Sequence, residues 1–387
     1  MKVILGITGS IAAYKSLELI RLLKKNGNEV RVILTASATR FVTPLSCQTL
    51  SEEEVYTEQF LLTKGIKHLS FAEWGDILVI APATANIIAK ASGGIGDDLL
   101  STTVISFPKP ILFVPAMDAE MWNNKIVQRN VKSLKELGYF ILEPTTGALA
   151  SGKIGRGRFP PVERIYKKIL AVSSNYPSLK GKRILITGGR TEEDIDPVRV
   201  LTNRASGLLA KELYEASVCR DAEAKLIMGE NNVQLSEDTD LIRVRTSKEM
   251  LYYLKDSLFW CDILIMAAAV GDYIPKEKRG EKIHSPSFKL ELMRNPDLLA
   301  TIRKEKGKKI FVGFSLEDKD ALKRAREKIK LKDLDFIVMN PSSAIGSANI
   351  EASILKKSGK IINLGSMSKW ELANRILDEC LSISLSD

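Results

Sequence analysis

Lys2-Val3-Ile4-Leu5-Gly6-Ile7-Thr8-Gly9-Ser10 opens the chain, and Arg183-Ile184-Leu185-Ile186-Thr187-Gly188-Gly189-Arg190 repeats its pattern near the middle. Each is an apolar, β-branched run ending in a threonine and glycine turn. A helical pattern follows the first, from Ile11 to Lys25. Such a run reads as the first strand of a doubly wound α/β domain, whose glycine turn delivers the chain to a helix N-terminus. Two of them in 387 residues predict two domains, each long enough to bury its own core. Between them, Ser173-Ser174-Asn175-Tyr176-Pro177-Ser178 is polar and carries a proline, as linkers do. The expected division is therefore 1–175 and 176–387.

Working outward, nearly all-apolar runs at 29–34, 77–81 and 111–115 predict further strands in the first half. Those at 224–228, 263–267, 310–314 and 336–340 predict them in the second. Apolar runs of this length suit a parallel sheet covered on both faces by helices. A hairpin at 352–356 and 360–364 and a helix over 369–381 close the chain.

Hydrophobic residues make up 45% and charged residues 27%, which describes a soluble globular protein. No apolar run reaches the roughly 18 residues that span a bilayer, and the N-terminus lacks a signal-peptide pattern. Cys47, Cys219, Cys261 and Cys380 are scattered without CxxC spacing. That argues against a disulfide framework or a zinc site and for the cytoplasm. The net charge of +10 comes without a nucleic-acid-binding motif. It reads as a lysine-rich solvated surface, with a share left for small anionic substrates.

Turns after parallel strands are where ligands bind, because backbone N–H groups and helix dipoles converge there. In the first half these are residues 8–14, 35–37 and 81–86. The first lacks GxGxxG, so a mononucleotide suits it better than a dinucleotide. Helix capping is the competing reading for Ser10 and Ser37. The stretches GITGSIAAYKS from Gly6, LTASATRFVTP from Leu34, HLSFAEWGD from His68, APATANIIAKASGGIGDDLL from Ala81, PAMDAEMW from Pro115 and GALASGKIGRGRFP from Gly147 are more specific together. In this order they resemble the homo-oligomeric flavin-containing cysteine decarboxylases, a family that includes phosphopantothenoylcysteine decarboxylase.

The resemblance implies a flavodoxin-like fold binding FMN between subunits, with Gly9, Ser10, Ser37, Ala83, Thr84, Asn86 and Met117 around the cofactor. It implies oxidation of the substrate's cysteinyl end, loss of carbon dioxide and return of the electrons, with His68 as the base. Two positions depart from the family. Asp118 stands where asparagine is usual, and an ionised carboxylate cannot donate a hydrogen bond to a substrate carboxylate. Two carboxylates in contact repel unless one is protonated. Ser151 stands where cysteine is usual, and a hydroxyl is the poorer proton donor.

The second half resembles the bacterial type of phosphopantothenate–cysteine ligase, usually fused behind such a decarboxylase. The carrying stretches are ITGGRTEEDIDPVRVLTNRASG from Ile186, MAAAVGDYIPKEKRGEKI from Met266, LMRNPDLLATI from Leu292, VGFSLED from Val312 and KIKLKDLDFIVMN from Lys328. The resemblance implies activation of the 4'-phosphopantothenate carboxylate by a nucleoside triphosphate, CTP or ATP, assisted by Mg2+. Cysteine's amine then displaces the nucleotide monophosphate. It places Ala267, Ala268, Ala269, Asp272, Pro296, Asp297, Leu298, Leu299, Phe314, Lys328 and Lys332 around the nucleotide. Asp272 is the candidate Mg2+ contact, Asn203 holds the acyl-nucleotide and Arg199 lies in the same segment. Lys282 matches the first lysine of a KxKK loop, but Lys282-Ile283-His284-Ser285 lacks the later two. Solvated helix faces are the bland reading of Lys328 and Lys332.

Coenzyme A biosynthesis by two activities is therefore the leading expectation. A ligase with a degenerate flavin domain kept for oligomerisation, and a flavin redox or binding protein, are the alternatives. Neither nucleic acid nor membrane is an expected partner. The expected assembly is a homo-oligomer; trimeric flavin halves and dimeric ligase halves would close as a dodecamer.

Overall fold

The computed structural model describes residues 1–59, 67–316, 321–340 and 349–384. It forms two compact units, Met1–Tyr176 and Pro177–Asp387.

In the first unit six strands make one sheet. Their spatial order is Val55–Tyr56, Glu29–Leu34, Lys2–Ile7, Ile77–Ala83, Ile111–Pro115 and Phe140–Ile141, all parallel. The order reverses beside Lys2–Ile7, and that is where an open sheet leaves a crevice. Both faces are covered. Leu19, Ile20 and Leu23 of helix Ala13–Lys25 join Ile165 and Ile169 of helix Val162–Ser173 in one core. Ile87, Ile88, Leu100 and Leu134 fill the other. Each fully buried Leu or Ile contributes about 1.5–3 kcal/mol. Apart from the sheet, Thr145–Ala148 and Ile154–Arg158 form an antiparallel hairpin. Its alternation is broken by glycines, which hid it from strand reading.

The second unit carries an eight-stranded sheet. Leu241–Arg243, Glu223–Met228, Arg183–Gly188, Ile263–Met266, Ile310–Leu316 and Phe336–Asn340 run parallel. Asn349–Lys356 and Ile361–Ser368, the late hairpin, extend the same sheet antiparallel. Helices Leu208–Cys219 and Lys369–Ser384 pack together on one face through Leu213, Ala216, Leu372 and Ile376. Helices Ser247–Leu258, Leu298–Ile302 and Ala321–Lys332 cover the other. The last two residues of VGFSLED lie outside the described residues.

A buried cation fastens the closing helix. The Arg220 side chain is 1% exposed and reaches Asp378 at 2.8 Å. It also donates to the carbonyls of Pro177 and Asn374. Removing Arg220 leaves the half-buried Asp378 carboxylate and two carbonyls without their donor, so Arg220→Ala should cost this unit about 1–3 kcal/mol. Urea unfolding followed by the near-ultraviolet signal of Trp370 and Trp260 measures it; an unchanged midpoint would contradict the assignment.

Candidate active sites

In the first unit, the turns after Lys2–Ile7, Glu29–Leu34 and Ile77–Ala83 meet at one end of the sheet. Thr8 ties the first to the third, donating to the Pro82 carbonyl at 2.7 Å and accepting from the Thr84 N–H at 3.1 Å. Ser16 donates to the Ala81 carbonyl at 2.7 Å. Gly9 sits so close to the second turn that a Cβ there would lie 2.4 Å from Ser37 Cβ. The close approach of Gly9 and Ser37 is thus a matter of missing side-chain volume. Ser37 holds the N-cap position of the short turn Ala38–Arg40 without a capping bond, and Ser10 Oγ accepts the Ala12 N–H at 3.3 Å just ahead of helix Ala13–Lys25. Sequence reasoning passed over Thr8 and Ser16, whose small hydroxyls looked like ordinary turn and helix residues.

A cavity of about 530 Å³ opens beside these turns, lined by Ser10, Tyr14, Lys15, Met117, Asp118, Ser151 and Arg158 among others. The hairpin Thr145–Ala148/Ile154–Arg158 forms one wall. It docks by the Met117 N–H donating to the Gly157 carbonyl at 3.0 Å. A Cβ at Gly157 would meet the Met117 carbonyl oxygen at 2.2 Å, so glycine is what allows this approach. The two family departures touch each other here: the Ser151 hydroxyl donates to Asp118 Oδ2 at 2.8 Å. Asp118 Oδ1 accepts the Glu120 N–H at 3.1 Å, capping helix Ala119–Asn123. The Ser151 hydroxyl first, then the Glu120 N–H and the Lys153 ammonium, hold the Asp118 carboxyl below the usual carboxylate range. Without substrate it is ionised.

Ser10, Met117, Asp118 and Ser151 therefore share one cavity. Ser37, Ala83, Thr84 and Asn86 stand on the neighbouring turns and do not line it. His68 lies within helix Lys67–Trp74, partly exposed, and is not among the lining residues either. The residues present fit a flavin mononucleotide: a three-turn cradle at the switch point, kept open by Gly9, beside an adjoining cavity.

In the second unit, the loop after Ile263–Met266 is braced from three sides. The Ala268 N–H donates to Thr187 Oγ1 at 3.3 Å and the Gly271 N–H to Thr191 Oγ1 at 3.1 Å. Asn203 Nδ2 donates to the Ala269 carbonyl at 3.1 Å. Asn295 Nδ2 donates to the Gly271 carbonyl at 2.7 Å. Asn203 and the alanine run, distant in sequence, are thus joined directly. Asp272 is exposed on this loop. No cluster of three or more metal-ligating side chains occurs among the described residues. A triphosphate-borne Mg2+ needs only one or two carboxylates, so Asp272 suits that role and no all-protein cage is implied.

The lysine loop is anchored by carboxylates that the motif reading did not include. The Ile283 N–H donates to Asp196 Oδ2 at 3.2 Å, and Arg199 Nη1 donates to Asp196 Oδ2 at 2.6 Å and to the Ile283 carbonyl at 3.2 Å. The Arg279 N–H donates to the Ile195 carbonyl at 2.9 Å, and Lys278 pairs with Asp194. Lys282 and His284 stand exposed on either side of Ile283.

The remaining nucleotide candidates divide across the sheet. Leu298, Leu299 and Ala268 belong with the core under helix Ala321–Lys332. There Lys332 pairs with Asp297 at 2.7 Å and Lys328 donates to Ser315 at 3.1 Å. Phe314 and Ala267 pack on the opposite face. Pro296 leads into Asp297, which caps helix Leu298–Ile302.

Comparison with known proteins separates the same two units. Residues 1–174 match the family model "Flavoprotein", and 179–383 match "DNA/pantothenate metabolism flavoprotein C-terminal domain". The coenzyme A biosynthesis bifunctional protein CoaBC of Bacillus subtilis is 38% identical over 99% of this chain and 97% of its own. The chain belongs to the CoaBC family. The Borreliella burgdorferi member is 36% identical over 97% of each chain. Among solved structures, the C-terminal domain of a CoaBC protein is 31% identical, covering 54% of this chain and 98% of its own at a TM-score of 0.48. As a CoaBC member the protein is a bifunctional flavoprotein enzyme of coenzyme A biosynthesis, a phosphopantothenoylcysteine decarboxylase joined to a phosphopantothenate–cysteine ligase. No described helix is long and apolar enough to cross a membrane.

Proposed function

We propose that the second unit joins 4'-phosphopantothenate to cysteine at the expense of CTP, with ATP as the competing nucleotide, and that the first unit decarboxylates the product with FMN. The observation that carries the ligase reading is the bond from Asn203 to the Ala269 carbonyl. It sets the segment assigned to the acyl-nucleotide against the backbone assigned to the nucleotide. In this reading Lys282 approaches the triphosphate, whose Mg2+ is met by Asp272. Lys328 and Lys332, with residues 296–299, meet the nucleotide from one face of the sheet, and Phe314 from the sheet end on the other. Cations placed where charge develops lower the barrier more than they tighten binding of the ground state.

FMN, when bound, supplies the two-electron sink. His68 accepts a proton from the substrate, a task for which imidazole suits near-neutral pH. Its absence from the cavity lining of its own chain supports a site completed by a second copy, consistent with trimeric flavin halves. Dimeric ligase halves would then give a dodecamer, working in the cytoplasm. Light scattering reads that mass directly.

The test is reconstitution of purified protein with phosphopantothenate, cysteine and CTP or ATP, products being weighed by mass spectrometry. Phosphopantetheine should form with CTP preferred. An intermediate that accumulates without carbon dioxide would favour the ligase with a degenerate flavin half.

The Asp118–Ser151 contact adds a pH dependence. Asp118 is ionised when free because its pKa is depressed, so a substrate carboxylate beside it requires uptake of a proton. Uptake grows harder as pH rises. We expect kcat/KM for decarboxylation to fall as pH rises from about 6 to 8, and the profile of Asp118→Asn to be flatter there. Parallel profiles of carbon dioxide release would refute this account of the aspartate.

A further inference from the structure

The hairpin wall of the decarboxylase cavity carries Ser151 at its tip. There the Leu149 N–H donates to the Lys153 carbonyl at 2.9 Å and the Gly152 N–H to the Leu149 carbonyl at 3.0 Å. The φ of 80 at Gly152 permits this turn. A Cβ on Gly155 would lie 2.6 Å from Ala119 Cβ, so the hairpin sits close against the residue that follows Asp118. Ser151 is thus held where its hydroxyl meets Asp118 Oδ2 at 2.8 Å. Both residues line the cavity, together with the cations Lys15 and Arg158. Lys153 stands on the turn and its field reaches Asp118; the Glu120 side chain is exposed.

A carboxylate can only accept, so in the ligand-free chain the serine proton is committed to Asp118. Protonation of Asp118 reverses the bond. The acid then donates to Ser151 Oγ, and the hydroxyl proton is free to point into the cavity. Decarboxylation needs such a proton, because a carboxylate plus one proton becomes a C–H bond plus carbon dioxide. The two electrons taken from the cysteinyl end return to it from the flavin, so no outside oxidant or reductant enters. The substrate carboxylate, in meeting Asp118, brings in that one proton. Once it has left as carbon dioxide, the charge that kept the proton on Asp118 is gone. The Ser151 bond, the Glu120 N–H and the field of Lys153, which hold the Asp118 carboxyl low, then make it a ready donor.

We propose that Asp118 and Ser151 together are the proton donor of the decarboxylase. Asp118 stores the proton taken up with the substrate, and Ser151 passes it to the carbon that lost carbon dioxide. The O–H bond of Ser151 breaks as the C–H bond forms, and Asp118 reprotonates the serine oxygen, ending ionised as it began. A lone hydroxyl is a poor acid near neutral pH, but one backed by a carboxylic acid never has to bear the negative charge. The two departures from the family pattern are then one device. The inference rests on the decarboxylation reading and deepens it.

Single turnover of the holoenzyme with phosphopantothenoylcysteine under nitrogen tests it, with product mass and flavin colour read together. The parent should give carbon dioxide, the saturated thiol and a flavin that is yellow again at the end. Ser151→Ala should still release carbon dioxide but form the saturated thiol about 10²-fold more slowly. It should leave the enethiol, lighter by two hydrogens, and a bleached flavin. Asp118→Asn, which cannot store a proton, should stop at the same point. Asp118→Asn combined with Ser151→Cys should recover the saturated thiol, because a thiol is acidic enough to donate alone. A merely structural role for the pair would slow carbon dioxide release and thiol formation together, leaving their ratio as in the parent. A parental ratio in either single variant overturns the proposal, and so does a parent that releases enethiol. A parent that releases no carbon dioxide would overturn the decarboxylation reading itself.

Discussion

Asp196→Ala should lower ligation by about 10²-fold while leaving decarboxylation of supplied phosphopantothenoylcysteine at the parental rate. The Asp196 side chain is fully buried, 0% exposed, beneath the loop that carries Lys282. Burial alone would push its carboxyl up. The N–H groups of Val198, Ile283 and Arg199 and the Arg199 guanidinium outweigh that and hold it far below the usual carboxylate range. A depressed pKa contributes stability above the unfolded value near 4 and loses it only as pH falls through the folded one. The anchor therefore persists throughout the working range. Asp196 is a positioning residue: it grips the Ile283 peptide, and Lys282 is the next residue along. Misplacing a catalytic cation by an ångström costs about 10²-fold. The loss should fall mainly on kcat and on the KM for nucleotide, and Asp196→Asn, which keeps one acceptor oxygen, should retain more activity. Ligation at the parental rate in Asp196→Ala would separate the loop's geometry from catalysis.

His68→Gln should produce the mirror image. Carbon dioxide release should drop by about 10²–10⁴-fold, the usual contribution of a general base, while ligation and the bound yellow chromophore are unchanged. Glutamine preserves size and hydrogen bonding but cannot take a proton near neutral pH. The expected product is phosphopantothenoylcysteine, accumulating from phosphopantothenate, cysteine and CTP. If the proposed oligomer sets His68 beside a neighbouring copy's cavity, mixed assemblies of His68→Gln with Gly157→Val should regain part of the lost activity. In Gly157→Val the added side chain meets the Met117 carbonyl and moves the hairpin wall. Mixed sites that pair an intact cavity with an intact histidine would account for the gain. Full carbon dioxide release by His68→Gln alone would remove the histidine from the mechanism.

Much of this architecture was legible from periodicity. Apolar runs such as Lys2–Ile7 and Arg183–Gly188 are strands because helices cover both faces of a parallel sheet, leaving no position to be polar. The glycine turn behind Lys2–Ile7 leads to helix Ala13–Lys25 as expected, but the one behind Arg183–Gly188 leads first to the antiparallel pair Glu192–Asp194 and Val200–Thr202, and the helix starts only at Leu208. The late hairpin follows its local pattern. The hairpin at 145–158 escaped because its glycines serve close packing against residues 117–119, not strand propensity. Motif order identified Asp118 and Ser151 as departures one by one. Nothing linear announces that a hydroxyl and a carboxylate 33 positions apart bond to each other.

The sequence by itself determined the two doubly wound halves and the position of the turns at the sheet ends, since these follow from local pattern and chain order. Only the tertiary structure decided the Asp196 anchor and the Asp118–Ser151 pair. An aspartate in DPVR is ordinary until burial removes its water. The cost of that desolvation, and the partner that offsets it, are properties of the packed fold and not of neighbouring residues.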